Sequence, residues 1–178
     1  LGQFFAYDKN FRGGVNLAPR RVNGEEKEEI VTAPVSAGGP HVKIFDREGN
    51  LLGQFFAYDK NFRGGVNLAV GKLVGGTRHP DNEIITSPAR SGGSLIKIYD
   101  FRSRLLGQFS AYHGKFKGGA GVAAKDTNAD GLDEIITGAG AGGSPHLKVF
   151  NPQGTLLNSF FAGDEKFNGG INVNAIYN

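Results

Sequence analysis

One motif, written four times, constrains this chain more than any other feature. Residues 1–18 read LGQFFAYDKNFRGGVNLA, and residues 52–69 repeat them letter for letter. A third copy, LGQFSAYHGKFKGGAGVA, starts at Leu106, and a fourth, LNSFFAGDEKFNGGINVN, starts at Leu157. The spacings are therefore 51, 54 and 51 residues. A second block lies between the copies: EEIVTAPVSAGGPHVKIFD from Glu28, NEIITSPARSGGSLIKIYD from Asn82 and DEIITGAGAGGSPHLKVFN from Asp133. Units repeated at this period bury their apolar flanks against one another, so the chain must form an array.

The local pattern says what is arrayed. Each period holds four short runs rich in Val, Ile, Phe and Tyr, represented by GGVNLA, EIIT, HVKIF and LLGQFFAY, with Gly, Asn, Asp or Pro between them. No apolar stripe of 3.6-residue period runs for ten residues, which argues against helical repeats. HVKIF alternates, with Val42 and Ile44 on one face and Lys43 on the other; Lys97 and Lys148 hold the same place in their copies. EIIT is a continuous apolar run, as in a strand covered on both faces. Four antiparallel strands per period predict an all-β β-propeller of four-stranded blades. The expected organisation is an outer strand of a preceding blade over 1–10, blades over 11–59, 62–113 and 116–164, and an inner strand of a following blade over 169–178. Three blades do not readily close a ring. Two completions stay open: remaining blades of a longer parent chain, or a homo-oligomer.

Composition narrows the class. Glycine is abundant, at 29 residues, but without a G-X-Y period, and 14 Phe with 5 Tyr argue against disorder. Apolar runs fall far short of the roughly 20 residues that span a bilayer, so no membrane insertion is expected. With no Cys there are no disulfides, thiolate metal sites or cysteine nucleophile. The net charge is only +3 and no Lys/Arg run exceeds two residues, which disfavours nucleic acid as a partner. The chain has no Met and its first residue falls inside a repeat, so it reads as a processed or excised piece with any signal peptide outside it.

The repeat symmetry breaks most strongly at residues 126–134, DTNADGLDE. Asp126, Asn128, Asp130 and Glu134 place side-chain oxygens at loop positions 1, 3, 5 and 9. Gly131 permits the sharp turn, and the Leu132 carbonyl is expected as a further ligand. An all-oxygen set of this charge predicts one Ca²⁺. Asp133 should point away from Glu134 by alternation, although the two can exchange roles. An Asx-rich turn without metal would use the same residue types, but would not require this spacing. The other units act as internal controls. Their aligned loops, RVNGEEKEE and KLVGGTRHPDNE, put Arg21 and Lys72 at the first position, where a cation repels Ca²⁺ or takes its place by pairing with nearby carboxylates.

FxGGVNLA, followed by DxNxDGxDEIITGAGAGG and PHLKVF, resembles the FG-GAP (VCBS-like) repeat of integrin alpha-subunit propellers and many bacterial surface proteins. The resemblance covers essentially the whole chain and is most specific in the third unit. It implies a β-propeller with Ca²⁺ in loops between first and second strands, extracellular or cell-surface location, and adhesion or ligand binding. Only Asp126, Asn128, Asp130, Leu132 and Glu134 match the metal motif, and the Phe-Gly pair becomes Phe-x-Gly-Gly here.

Other residues weigh less. His41 and His146 enter the third strand where unit two has Leu95, so packing outranks a catalytic or metal role; His79 and His113 are isolated. The GAGAGGSP segment lacks the lysine of a phosphate loop and leads into a strand, so it reads as a tight connection. The Phe4/Phe5, Phe55/Phe56, Phe109 and Phe160/Phe161 set fills space between blades, although such rings also stack on sugars. Tyr7, Asp8 and Arg12, then Tyr58, Asp59 and Arg63, then Tyr112 and Lys117, recur as a cluster able to bind a glycan in each blade; a rim salt bridge is the plainer reading. No nucleophile–base set or cofactor motif stands outside the repeat, so a non-catalytic module is expected. Its partner would be a glycan or surface protein, and a purely architectural propeller segment is the alternative.

Overall fold

The computed structural model describes residues 3–23, 27–75 and 82–175. Twelve strands form among them, and no helix. The first sheet holds β1 (Val15–Arg20), β2 (Glu29–Pro34), β3 (His41–Phe45) and β4 (Leu51–Phe56). The second holds β5 (Val66–Gly71), β6 (Glu83–Pro88), β7 (Leu95–Tyr99) and β8 (Leu105–Ser110). The third holds β9 (Ala120–Lys125), β10 (Glu134–Ala139), β11 (His146–Phe150) and β12 (Leu156–Phe161). Each is a four-stranded antiparallel meander in chain order. Register repeats too: Thr32 faces Lys43, Thr86 faces Lys97 and Thr137 faces Lys148. Each sheet also shifts register between its third and fourth strands, after Ile44, Ile98 and Val149.

The sheets lie face to face like blades, with β5 against both β1 and β9. One core fills each junction. Between the first and second sheets it includes Val31, Val42, Ile44, Val66, Val70 and Ile84; between the second and third, Ile85, Ile96, Ala120, Ala124, Ile135 and Phe150. Ile84 and Ile85, adjacent in β6, thus serve different cores, which is why EIIT reads as an unbroken apolar run. Each fully buried Ile or Val contributes roughly 1.5–3 kcal/mol. Aromatic pairs extend the junctions outward: Phe55 meets Tyr99 at 4.5 Å between ring centroids, and Phe109 meets Phe150 at 4.8 Å.

Two expectations shift. The first strand of each unit was expected over GGVNLA but starts after the glycines, because Gly14, Gly65 and Gly119 take φ of 74°, 79° and 80°, which an extended strand cannot contain. The terminal segments, expected as lone strands, form no strand over residues 3–10 or 169–175, because a strand requires a ladder partner. Phe4 packs on Phe45 at 5.0 Å, as Phe55 does on Tyr99, and Ile171 donates its N–H to the Ala139 carbonyl.

Candidate metal centre

The 126–134 loop, between β9 and β10, closes on its own acids. Asp126 Oδ1 accepts the Ala129 N–H at 2.6 Å and Oδ2 accepts that of Gly131 at 2.9 Å. Desolvation pushes the Asp126 carboxyl up, but the N–H groups of Gly131, Ala129 and Asn128 outweigh it and hold the pKa below the ordinary value. Gly131, at φ 87°, makes the turn that brings its N–H to Asp126. The Asn128 amide nitrogen lies 3.0 Å from both Asp130 Oδ2 and Glu134 Oε1. Two carboxylates therefore converge on one partly positive group, the kind of place a hard cation favours. Asp126 turns its oxygens to loop N–H groups, and no three His, Asp or Glu side chains among the described residues gather as a preformed cage. The donor chemistry fits Ca²⁺, and Asp126, Asn128, Asp130, Glu134 and the Leu132 carbonyl are the groups that would hold it.

Glu134 has a structural task that sequence reasoning missed. Its Oε2 accepts the Thr127 N–H at 2.8 Å and the Thr127 hydroxyl at 2.5 Å. Glu29 does the same for the Val22 N–H and Glu83 for the Leu73 N–H, both at 2.7 Å. All three glutamates are at most 4% exposed. Their identical position at the start of the second strand, even behind Arg21 and Lys72, was the available signal. Arg21 and Lys72 themselves are exposed, and neither joins an ion pair among the described residues. The comparison loops are described only in part, since 24–26 and 76–81, including His79, lie outside the described residues.

Asp133 points away from the loop and is buried against the neighbouring sheets. Its Oδ2 accepts the Lys72 N–H at 2.9 Å and pairs with Arg20 Nη1 at 2.7 Å, while its own N–H reaches the Lys72 carbonyl. The third sheet is thus tied to the second through Lys72 and to the first through Arg20. Gly71 makes room between them: a Cβ there would lie 2.5 Å from Ala124 Cβ and 3.2 Å from Asp133 Oδ2.

The Tyr–Asp–basic set divides. The Tyr7, Tyr58 and Tyr112 hydroxyls donate to the carbonyls of His41, Leu95 and His146, each at 2.7 Å, and lie beside Thr32, Thr86 and Thr137. Lys43, Lys97 and Lys148 cross the ring faces to reach the carbonyls of Ala6, Ala57 and Ala111. This clamp recurs at every junction, and burial raises the Tyr7 and Tyr112 pKa values to about 12 and pushes Tyr58 higher still. Asp8 and Asp59 cap their own turns, accepting the N–H of Asn10 and Asn61 at 2.8 Å. Arg12 and Arg63 fold back onto the carbonyls of Lys9 and Lys60. Tyr7 and Asp8 nonetheless meet Arg63 of the next unit in a cleft of about 450 Å³, beside the stacked rings of His41 and Phe56. Lys117 lines a different cleft with Arg90 and Lys115.

No family model matches the chain, and no curated protein does. The chain is similar to a crystal structure of a protein of unknown function from Bacteroides caccae, at 12% identity and a TM-score of 0.48. The likeness covers 85% of this chain and 48% of that one, so this chain spans about half of that protein's length.

Proposed function

We propose that the chain is a calcium-stabilised β-propeller repeat module, non-catalytic and extracellular, that serves in binding or adhesion to a glycan or a surface protein. The observation that carries this reading is the DxNxDGxxE loop. It occurs in one unit of three, and its Asp130 and Glu134 converge on the Asn128 amide while Glu134 also locks the loop. Face-to-face sheets with a buried core at each junction support the propeller. The FG-GAP resemblance supports the extracellular setting.

Calcium bound only by the folded chain raises its melting temperature by mass action, by the equivalent of about 2.7 kcal/mol at a hundredfold excess over Kd. The expected result is a calcium-dependent shift against chelator that Asp126→Ala abolishes. An unchanged melting temperature defeats the calcium reading. The recurring junction clamps favour a second reading, a purely architectural propeller segment. A glycan array separates the two: specific retention supports the binding module, and uniform silence supports the architectural one.

A further inference from the structure

The strongest departure from the repeat outside the cation loop lies at the other end of the third sheet, where the β8–β9 turn meets the β6–β7 and β10–β11 loops. Units one and two open their turn with Asp8 and Asp59; here His113 replaces the acid. Lys115 stands where Asn10 and Asn61 stand, and Arg90 where Ser36 and Ala141 stand. Gly114 replaces Lys9 and Lys60, so the turn's lysine moves one place along the chain, while the lost acid and the added Arg90 make this end more positive. Arg90, Lys115 and Lys117 line a single cleft of about 500 Å³ together with Phe116, and no carboxylate lines it. All three cations are exposed, and none joins an ion pair among the described residues.

We infer that this cleft binds an acidic polysaccharide, with Arg90, Lys115 and Lys117 on its carboxylates or sulfates and the half-buried Phe116 ring against a sugar face. The inference rests on the binding-module reading and specifies its ligand class. A single junction carries the site because a ligand contact breaks repeat symmetry only where it is needed. The cations gather in one cleft beside an aromatic ring, not in a run along a strand, which suits a short anionic segment bearing rings better than a nucleic-acid backbone.

The test is affinity electrophoresis of the whole 178-residue chain through polygalacturonate, dextran sulfate, neutral dextran and a short DNA duplex, each with calcium and with chelator. At least one acidic polysaccharide retards the chain, salt weakens the retention and neutral dextran has no effect. The two acidic arms tell carboxylate from sulfate. Arg90→Ser with Lys115→Asn restores the residues of the first unit and weakens retention about tenfold. Arg47→Ser with Arg102→Ser removes the same charge from turns at the opposite end and leaves retention unchanged. Absence of retention in both acidic arms, an equal loss in the control pair, or stronger retention by DNA overturns the inference. Retention that persists in chelator, in a chain whose melting ignores calcium, upholds this site while the calcium reading falls.

Discussion

At the residue scale, this chain depends on polar groups buried between repeats. Each clamp tyrosine donates to a carbonyl of the next unit, so its proton is part of the junction. An unfolded phenol ionises near pH 10, whereas Tyr7, Tyr99 and Tyr112 are held to about 12 by burial. Below pH 10 both states keep the proton and the contribution is complete. Between pH 10 and 12 the unfolded state has already lost it, so stability falls as pH rises. Urea midpoints should therefore decline across that window, and tyrosinate absorbance should rise with unfolding and not ahead of it; free titration near pH 10 in the folded chain contradicts the clamps. The glutamates give a second prediction. Glu83→Ala removes a buried acceptor for the Leu73 N–H and should cost about 2–3 kcal/mol in urea unfolding, with or without calcium. Glu134→Ala should cost a similar amount and also lose the calcium response; a Glu83→Ala chain of normal stability would refute the loop-locking role. The spacing that makes Glu134 a candidate ligand was legible because it is a pattern along the chain. The locking role of Glu134 was legible only by comparing the three units, because Glu29, Glu83 and Glu134 share one position whether or not the loop before them carries the acidic spacing.

At the element scale, the strands were largely readable. HVKIF corresponds residue for residue to β3, because alternating burial of Val42 and Ile44 against Lys43 is written in a period of two. EIIT was readable as doubly covered for the opposite reason, since its apolar run is unbroken. The start of β1, β5 and β9 was not, since GGV continues an apolar run by composition while the second glycine's left-handed φ ends it. Gly65 also explains the doubled glycine: an added Cβ would collide with the Val35 carbonyl of the preceding sheet. Nor could the sequence reveal that Arg20, Lys72 and Asp133 meet across three repeats, because that contact depends on how the sheets are set beside one another. Gly71 tests it. Gly71→Ala drives a methyl into Ala124 and Asp133 and should cost about 1–3 kcal/mol in chemical denaturation; a neutral effect would mean the inner strands are less closely apposed than described.

At the scale of the whole molecule, repetition itself is the organising principle. Near-identical units present near-identical flanks, so one junction geometry recurs with the same pairs: Phe55 on Tyr99, Phe109 on Phe150, and Phe4 on Phe45 within the first sheet's outer seat. At the far flank of the third sheet, Phe160 holds the position of Phe55 and Phe109 and is 47% exposed. The array was legible from the period near 50 residues, and the sheets from their four runs. The departures at residues 126–134 and at the cleft of Arg90, Lys115 and Lys117 are where the proposals above place a task that the other copies lack. Long-wavelength anomalous diffraction from crystals of the chain grown in calcium tests these claims together. The account predicts β1, β5 and β9 side by side about a shared axis, with one anomalous peak, held by Asp126, Asn128, Asp130 and Glu134. Sheets stacked in a straight line, or calcium absent from that loop, would contradict it.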